Sequence, residues 1–470
     1  MKKNFLCTSA IALLSLLPVT LAYAQTSKGG ISPKMLQEMS SSLQQTPSEK
    51  ALQNIVLTNG MSFTNATRAL PMNGNFSNKV SSKGITDQKQ SGRCWLFTGL
   101  NVLRSEVINH YNLDEFYFSQ NYNFFWDQLE KSNLFLQAII DTRQLPISDR
   151  KVEWLFRNPI GDGGQFTGVS DNIMKYGLVP SDIQPETHSS NNTSQMSSLI
   201  AKVLRQSAIR MREKAEKGAS VKQLETQKME ALKAVYRLLV MNLGKPVEKF
   251  HYTLKDAKGN VVLDGDFTPQ TFFQALFGKD RDLREEYVMI MNNPTLPYDK
   301  VYTIEYDRHM YDGKNWTYLN LPMEELKEMA TRSIKDSTML YYSCDVGKQL
   351  DRKTGLLTMD NFDYSSIAGI SLDMDKRERI ATGASGSTHA MTLMAVDIDQ
   401  NGKWTKWMVE NSWGPTAGYK GHLIMSDEWF DAYTFRIVVN KKYLTDRAKA
   451  LLSKKAELLP PWDPMFKSDI

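Results

Sequence analysis

Residues 86–97 read Thr86-Asp-Gln-Lys-Gln-Ser-Gly-Arg-Cys94-Trp-Leu-Phe97, a polar run that ends in Gly92 and leads into an apolar segment. The apolar positions recur at helical spacing and predict a helix that is buried on one face, with Trp95, Leu96, Leu100, Leu103, Val107 and Ile108 on that face. We therefore expect Cys94 at a helix N-terminus, where the helix dipole and the unpaired backbone N–H groups favour a thiolate. Gln88 precedes Cys94 by six residues and could direct its amide towards the thiol. We interpret Cys94 as a candidate nucleophile.

The composition is that of a globular protein. The chain has 470 residues, of which 41% are hydrophobic and 23% are charged, and this length is enough for about two to three domains. The formal net charge is +5, and it falls to +3 without Lys2 and Lys3, because residues 1–24 contain no Asp or Glu. A charge this small gives no reason to expect a nucleic acid or a membrane as a partner.

Residues 1–24 predict a cleaved signal peptide. A basic start at Lys2-Lys3, a long apolar run and the small-x-small sequence Ala22-Tyr-Ala24 match the three parts of such a signal. The alternative is an uncleaved N-terminal anchor. We expect export to a periplasm or out of the cell, with no membrane attachment after cleavage. Cys94 and Cys344 then remain, and they either form a disulfide or have separate roles.

Composition and turn signals divide the mature chain into five parts. Two amphipathic helices, at roughly 196–216 and 221–243, predict a helical hairpin, and Ser220 and Gln223 form a capping-box start for the second. The hairpin is either a solvated surface or an oligomer contact. Residues 189–195 are rich in Ser and Asn and predict a loop. The first part is an N-terminal arm with a short helix (25–75), followed by a helical half that carries Cys94 (76–190). An insertion with the hairpin and strands (191–315) comes next. A β-rich half that carries His389 and Asn411 (316–445) and a tail (446–470) complete the chain.

The region from His389 to Asn411 predicts a β-hairpin. Two strand-like segments, 389–398 and 404–411, flank an Asn-Gly turn. With that turn at the centre, Asn411 pairs with Thr392, three residues and about 10 Å along the strand from His389. A bulge or a longer turn would bring the two side chains together, and the Asn411 carbonyl could then orient the imidazole of His389.

A single Cys in an apolar helix is usually an inert core residue, and a single His at a strand start usually has no catalytic role. The joint occurrence of several strings favours a functional interpretation. The chain resembles the papain superfamily, and within it the bleomycin hydrolase/aminopeptidase C branch. The matching strings are residues 86–97, Asp162-Gly-Gly-Gln165, Tyr318-Leu-Asn-Leu-Pro322, Cys344-Asp-Val-Gly-Lys348, His389-Ala-Met-Thr392, Glu410-Asn-Ser-Trp-Gly414 and Leu459-Pro-Pro-Trp-Asp-Pro-Met465.

Two departures from typical papain-like peptidases fit this branch. Ser91-Gly92-Arg93 replaces the usual Cys-Gly-Ser or Cys-Gly-Ala before the thiol, and His389 follows Cys94 by 295 residues. The resemblance implies an α+β, papain-like fold, with a helical half, an antiparallel β-barrel half and a large, mainly helical insertion. It also implies a C-terminal tail that returns to the cleft.

The resemblance also implies a mechanism. Cys94 attacks the scissile carbonyl, and His389 holds the ion pair with the thiolate and then protonates the leaving amine. Asn411 orients His389, and Trp413 shields their hydrogen bond from water. Gln88 and the Cys94 backbone N–H form the oxyanion hole. No cofactor and no metal is implied, and the partners are peptide substrates.

Two glycines match the backbone rail that pairs with substrate in this branch. Gly163 and Gly164 would let an extended peptide approach the backbone closely, and the alternative is a simple turn. Cys344 matches a buried thiol in a strand.

The C-terminal tail is the part of the chain from which we predict which peptide bonds are cut. The resemblance implies that the carboxylate of Ile470 lies in the cleft and limits cleavage to the substrate's N-terminus. Phe466, Lys467 and Asp469 differ from the small apolar residues that are usual in the branch, and the alternative is a frayed tail. The alternative functions are an endopeptidase with an ungated cleft and a catalytically silent binding protein. The branch also forms hexameric rings, so a homo-hexamer is expected, whereas nucleic acid binding is not.

Overall fold

Helices occupy most of the first half of the chain, and strands most of the second. The structure is a computed structural model that describes residues 29–43, 46–61 and 73–466. The predicted signal peptide and Ile470 therefore lie outside the described residues. The chain divides into an N-terminal unit, residues 1–64, and a main unit, residues 65–470, and each is described by itself.

Two helices, α1 (Pro33–Ser42) and α2 (Pro47–Asn59), make up most of the described part of the N-terminal unit. Each begins with a proline, a residue favoured at the first helical position. Ser32 and Thr46 cap the two helices, and Glu49 completes a capping box with Thr46. The prediction of one short helix in this arm is wrong, because Ser and Thr residues that suggested loop serve as N-caps of two helices.

The main unit contains helices of very different lengths. The α-helices are α3 (Cys94–Tyr111), α4 (Gln120–Asp141), α5 (Arg150–Arg157), α6 (Phe166–Tyr176), α7 (His188–Asn191), α8 (Ser194–Glu216), α9 (Val221–Leu243), α10 (Pro269–Phe277), α11 (Leu283–Glu286), α12 (Met323–Lys335), α13 (Tyr364–Ala368), α14 (Lys376–Ala381), α15 (Asp427–Tyr433) and α16 (Asp446–Leu451). Lys441–Tyr443 and Pro464–Phe466 are 3-10 helices. Among the helices that the structure describes, none combines the length and the apolar character needed to cross a bilayer.

The strands lie mainly in the second half. They are β1 (Asn78–Lys79), β2 (Phe250–Lys255), β3 (Val261–Phe267), β4 (Tyr287–Met291), β5 (Lys300–Ile304), β6 (Thr317–Asn320), β7 (Leu340–Cys344), β8 (Leu350–Asp351), β9 (Leu356–Leu357), β10 (His389–Ile398), β11 (Trp404–Glu410), β12 (His422–Ser426), β13 (Thr434–Asn440) and β14 (Glu457–Leu459). They form one large sheet in the order β14-β5-β6-β4-β13-β7-β10-β11-β12-β9-β8, with β1 on β10, and a separate β2–β3 pair. Most pairs are antiparallel, and β4–β6, β5–β14 and β9–β12 are parallel.

The predicted helical hairpin is confirmed as α8 and α9, and the capping box of Ser220 and Gln223 is present. Both helices pack on α4 through apolar residues that include Leu204 and Val235. The predicted loop at 189–195 is wrong at both ends. Thr187 caps α7 through a capping box with Ser190, and α8 begins at Ser194. The polar side chains that suggested a loop satisfy backbone N–H groups of a short helix instead.

The centre of the sheet positions the residues singled out above. Strand β10 pairs with β7 and β11, and α3 packs against both β10 and β7. The first eight residues of β10 are all buried, as its continuous apolar run predicts for a strand covered on both faces.

The β10–β11 hairpin differs from its predicted register near the open end. Ala395 pairs with Met408 as predicted, but a bulge after Leu393 shifts the register, so that Thr392 pairs with Glu410. The prediction that Thr392 faces Asn411 is therefore wrong by one residue. The bulge shortens the offset along the hairpin between Asn411 and His389 by one residue. A bulge inserts an extra residue into one strand and bends it locally.

Candidate active site

Helix α3 begins at Cys94, and its first turn is held by the polar loop before it. Ser91 Oγ donates to the Gln88 carbonyl at 2.6 Å, and the Gly92 N–H donates to Asp162 Oδ2 at 3.3 Å. A Cβ on Gly92 would lie 2.9 Å from the Asp162 Cβ, so this approach requires glycine. Cys94 has no exposed surface. The thiol is thus fixed at the positive end of α3, as the sequence predicts.

Arg93, which replaces a small residue before the thiol, points into the protein. Its side chain has no exposed surface and lies 2.8 Å from a carboxylate oxygen of Glu186. The guanidinium also lies over the rings of Phe97 and Phe124, at 5.1 and 5.3 Å. Arg93 therefore anchors the start of α3 rather than contributing charge at the surface.

Gln88 joins the loop before Cys94 to the segment after β11. The Gln88 N–H donates to the Ser412 carbonyl at 2.9 Å, and the Gly414 N–H donates to the Thr86 carbonyl at 3.1 Å. The side-chain oxygen of Gln88 accepts from Ser412 Oγ at 2.7 Å, and its Nε2 donates to the Ser91 carbonyl at 2.7 Å. Within the described part of the chain, Nε2 donates one of its two hydrogens, and the second is the kind of donor that an oxyanion hole needs.

His389 and Asn411 form a direct hydrogen bond. His389 Nε2 lies 2.8 Å from Asn411 Oδ1, and the Ser412 N–H also donates to that oxygen at 2.8 Å. Because a carbonyl oxygen only accepts, Nε2 carries the proton, and Nδ1 is the nitrogen that can accept a proton from an acid such as a thiol. The ring of Trp413 stacks on His389, with centroids 4.9 Å apart. Both His389 and Asn411 are buried, so water does not compete for this bond.

A cleft of about 930 Å³ is lined by residues close in sequence to both Cys94 and His389. Gly92 lines it from the Cys94 loop, and Ser387 and Thr388 line it just before His389. Gly163 and Gly164 line the same cleft, together with residues 461–464 and Phe466. The structure thus brings the predicted rail and part of the predicted tail into one space.

Hydrogen bonds from two side chains fix the backbone of the rail. Lys131 Nζ donates to the Gly163 carbonyl at 2.6 Å, and Trp95 Nε1 donates to the Asp162 carbonyl at 2.7 Å. Among the described residues, no hydrogen bond reaches the backbone of Gly164. Its N–H and carbonyl are therefore available to pair with an extended peptide.

A buried Asp127–His309–Lys131 cluster supports this rail, and the sequence analysis missed it. His309 Nδ1 lies 2.5 Å from Asp127 Oδ1, and the Gln165 N–H donates to His309 Nε2 at 3.3 Å. Lys131 Nζ lies 2.9 Å from Asp127 Oδ2. Burial, and then the charge of Lys131, lower the pKa of His309. Burial alone would raise the pKa of Asp127, but Lys131 and His309 hold it below its usual value. A neutral imidazole therefore faces a charged carboxylate.

His309 also determines why glycine occupies the rail. A Cβ on Gly164 would lie 2.1 Å from His309 Cε1, and one on Gly168 would lie 2.2 Å from His309 Nδ1. The two glycines, four residues apart, signal a close approach, but nothing in the sequence identifies the partner.

A second missed contact joins α3 to the strand before Asn411. Arg104 Nη2 lies 2.6 Å from Glu410 Oε1, and both side chains are buried. Ser82 Oγ also donates to Glu410. Burial raises the pKa of Glu410 to about 7, although the charge of Arg104 opposes the shift.

The remaining predicted positions are placed as follows. Cys344 ends β7 directly opposite His389, and within the described residues Cys94 and Cys344 are both thiols rather than disulfide partners. The part of the chain that the structure describes gathers no three His, Cys, Asp or Glu side chains in a group that could hold a metal ion. Ile470 lies outside the described residues.

Comparison with solved structures defines the class of protein. The structure matches the crystal structure of PepW from Lactobacillus rhamnosis HN001 with a TM-score of 0.89 and 36% identity, covering 93% of this chain and 99% of that one. The fold is that of the papain-like cysteine peptidases, as predicted. The chain belongs to the Peptidase C1-like family, whose model matches residues 30–466.

Curated relatives agree with this assignment. Aminopeptidase C of Lactobacillus delbrueckii subsp. lactis is 36% identical over 442 residues, which cover 93% of this chain and 98% of the relative. Bleomycin hydrolase of Homo sapiens is 38% identical over 399 residues, covering 83% and 88% respectively. The chain is therefore a cysteine-type peptidase similar to aminopeptidase C and bleomycin hydrolase, and this part of the prediction is confirmed.

Proposed function

We propose that the chain is an exported cysteine aminopeptidase whose C-terminal tail limits cleavage to the N-terminal end of peptides. The observation that carries the proposal is that residues 461–464 and Phe466 line the same cleft as Gly163 and Gly164. Phe466 lies four residues before Ile470, and four extended residues span about 13 Å. The tail therefore has the length to place its carboxylate beside the rail, where it would meet a substrate's ammonium group.

The tail is anchored on the way to the cleft. Strand β14 pairs in parallel with β5, and the Glu305 N–H donates to the Leu459 carbonyl at 3.0 Å. The Arg150 guanidinium lies 4.0 Å from the centre of the Trp462 ring, and Trp154 meets Phe466 edge to face at 5.1 Å. Aromatic and cation–π contacts of this kind each contribute about 0.5–1.5 kcal/mol. The large side chain of Phe466 thus packs against Trp154 of α5. This contact favours a tail that is held in the cleft over a frayed tail.

The proposed chemistry follows the positions of four side chains. The Cys94 thiolate attacks the scissile carbonyl carbon, and the oxygen that becomes negative is stabilised by the Gln88 amide and the Cys94 N–H. Protonated His389, oriented by Asn411, gives its proton to the amine as the C–N bond breaks. Water then attacks the thioester, His389 accepts its proton, and the acid leaves with Cys94 regenerated. The 2.8 Å bond between His389 and Asn411 supports this assignment.

Export and assembly form part of the same proposal. The basic, apolar and small-x-small pattern of residues 1–24 supports export to a periplasm or beyond the cell. The α8–α9 hairpin exposes Leu199, Met229 and Met241, and these apolar side chains support its use as a contact in a homo-hexamer. N-terminal sequencing of the exported protein tests the first point, and light scattering of the mature protein tests the second.

The central experiment compares unblocked and N-acetylated peptides of the same sequence. The wild type should cleave aminoacyl amides and peptides that have a free N-terminal amine but not the acetylated peptides, and Cys94→Ala should cleave none. A variant that ends at Phe466 should gain activity on acetylated peptides.

Three outcomes would contradict the proposal. Undiminished activity in Cys94→Ala would exclude the assigned nucleophile. Equal cleavage of acetylated peptides by the wild type and the shortened chain would show an ungated endopeptidase. An inert wild type whose Cys94 also resists a thiol-directed epoxide would indicate a silent binding protein.

A further inference from the structure

A separate cavity, of about 400 Å³, borders Trp413. Trp413 and Arg352 line it, as do Asp87 and Lys89, and it shares no lining residue with the larger cleft. The ring of Trp413 stacks on His389. The proposed function puts the acyl part of a substrate on Gly163 and Gly164 in the larger cleft, so the separate cavity beside Trp413 is the candidate position for the leaving group.

The charge of Arg352 is uncompensated in this cavity. Its guanidinium carbon lies 5.3 Å from the centre of the Trp413 ring, and the residue is exposed. Among the described residues, no carboxylate lies within ion-pair distance of Arg352, and no acceptor takes its hydrogens. Lys89, by contrast, lies 2.6 Å from Asp87 Oδ2, so the two neutralise each other.

The turn that carries Arg352 is fixed. The Gly355 N–H donates to the Asp351 carbonyl at 2.8 Å, and the Lys353 N–H donates to Asp351 Oδ1 at 3.0 Å. The Ile424 N–H donates to the Gly355 carbonyl at 2.9 Å and so attaches the turn to β12. A guanidinium that lies over an indole ring and is carried by a fixed turn can bind a carboxylate through two hydrogen bonds.

Distances within the site define the ligand that fits. The His389 and Trp413 centroids are 4.9 Å apart and Arg352 lies 5.3 Å from Trp413, so the guanidinium lies at most about 10 Å from the imidazole. An extended peptide advances about 3.3–3.6 Å per residue, so the carboxylate of a leaving amino acid or dipeptide falls within this range.

We propose that Arg352 and Trp413 form a leaving-group subsite that binds a carboxylate, so that short peptides with a free C-terminus are preferred substrates. The inference rests on the proposed function, since it names the substrate class of that same site. The carboxylate can come from the C-terminus or from an acidic side chain just after the scissile bond.

The test compares two matched substrate pairs by kcat/KM. Ala-Ala-Ala and its C-terminal amide differ only in the terminal charge, whereas Ala-Glu-amide and Ala-Gln-amide differ only in the side-chain charge. In the wild type we expect the charged member of at least the first pair to be preferred about fivefold at low salt, which is the size of one exposed charge pair. The preference should shrink at about 0.5 M salt, because surface charges are then screened.

Three variants identify Arg352 as the cause. Arg352→Gln should bring the charged-to-neutral ratio close to one. Arg352→Lys should keep part of it, since the charge remains but the planar fork is lost. Lys353→Gln removes the same charge from the next residue, which does not line the cavity, and should keep the wild-type ratio.

The outcomes separate this inference from the proposed function. A wild type that cleaves aminoacyl amides but shows a ratio near one in both pairs overturns the subsite alone. A ratio that survives in Arg352→Gln, or that Lys353→Gln abolishes equally, does the same. A wild type that cleaves no peptide and no aminoacyl amide overturns both.

Discussion

Gly164→Ala is the substitution for which the structure predicts a severe steric clash in the candidate active site. The added Cβ would lie 2.1 Å from His309 Cε1 and 2.8 Å from a Trp95 ring atom, whereas ordinary contacts begin at 3.4 Å. His309 has little freedom to move, because Asp127 holds its Nδ1 at 2.5 Å and Trp95 packs against its ring. The rail must therefore shift by about 1.3 Å to relieve the shortest contact.

Two magnitudes follow from that shift. Overpacking in a filled interior costs about 1–3 kcal/mol of the free energy of unfolding. A displacement of about 1 Å in a substrate-positioning element can lower the rate about a hundredfold. We expect both effects in Gly164→Ala, with kcat/KM on aminoacyl amides as the first readout and urea unfolding as the second.

The chain offers a matched control and a rescue. Gly161→Ala changes a glycine of the same loop, and no atom of the described residues lies within 4 Å of the new Cβ, so its kcat/KM should stay close to wild type. His309→Ala alone loses its bonds to Asp127 and Gln165, at a cost of about 1–3 kcal/mol. The double variant Gly164→Ala/His309→Ala should nevertheless exceed Gly164→Ala in activity, because the clash is gone. Equal activity of the two alanine variants in the loop, or a double variant no better than Gly164→Ala, would refute the reasoning.

Three further predictions concern the surroundings of the site. Asn411→Ala should lower kcat by about a hundredfold with little change in KM, because His389 loses the carbonyl that fixes its ring, and steady-state kinetics checks this. Burial raises the pKa of Glu410 to about 7 from an ordinary 4.5. The folded state thus holds this proton more tightly than the unfolded chain, and the free energy of unfolding should fall by about 3 kcal/mol as pH rises from about 4.5 to 7. Glu410→Gln should flatten that decline in urea unfolding at pH 5 and pH 8, and an unchanged decline would contradict the assignment. Arg93→Met should destabilise the fold by about 3–5 kcal/mol, since Glu186 then keeps a partly buried charge without its partner, and Arg93→Met/Glu186→Gln should recover part of the loss.

Local patterns predicted those parts of the structure that depend on neighbours in sequence. The apolar spacing after Cys94 predicted α3, and the Ser220–Gln223 capping box predicted the start of α9. The Asn-Gly turn predicted the β10–β11 hairpin, because turn residues fix which strands pair. The offset between His389 and Asn411 called for a bulge or a longer turn, but the position of the bulge after Leu393 could not be predicted, since the extra residue has no signature in the pattern of buried side chains.

Contacts between residues distant in sequence could not be predicted, for a different reason. His309 lies 182 residues from Asp127, and Glu410 lies 306 residues from Arg104. Charged and polar residues of these types usually lie at the surface, so nothing local marks them as buried partners. The resemblance to a family predicted His389 and Asn411 as site residues because the sequence strings around them are specific. It predicted none of the residues that pack beneath the rail.

The hydrogen bond between Gln88 and Ser412 joins residues that are 324 positions apart. During synthesis at about 5–20 residues per second, Cys94 therefore emerges some 16 to 65 s before the segment that follows β11. Until then the thiol has neither His389 nor Asn411 beside it. The Cys94 thiol therefore gains its base and the carbonyl that orients that base only after residue 411 has been added to the chain.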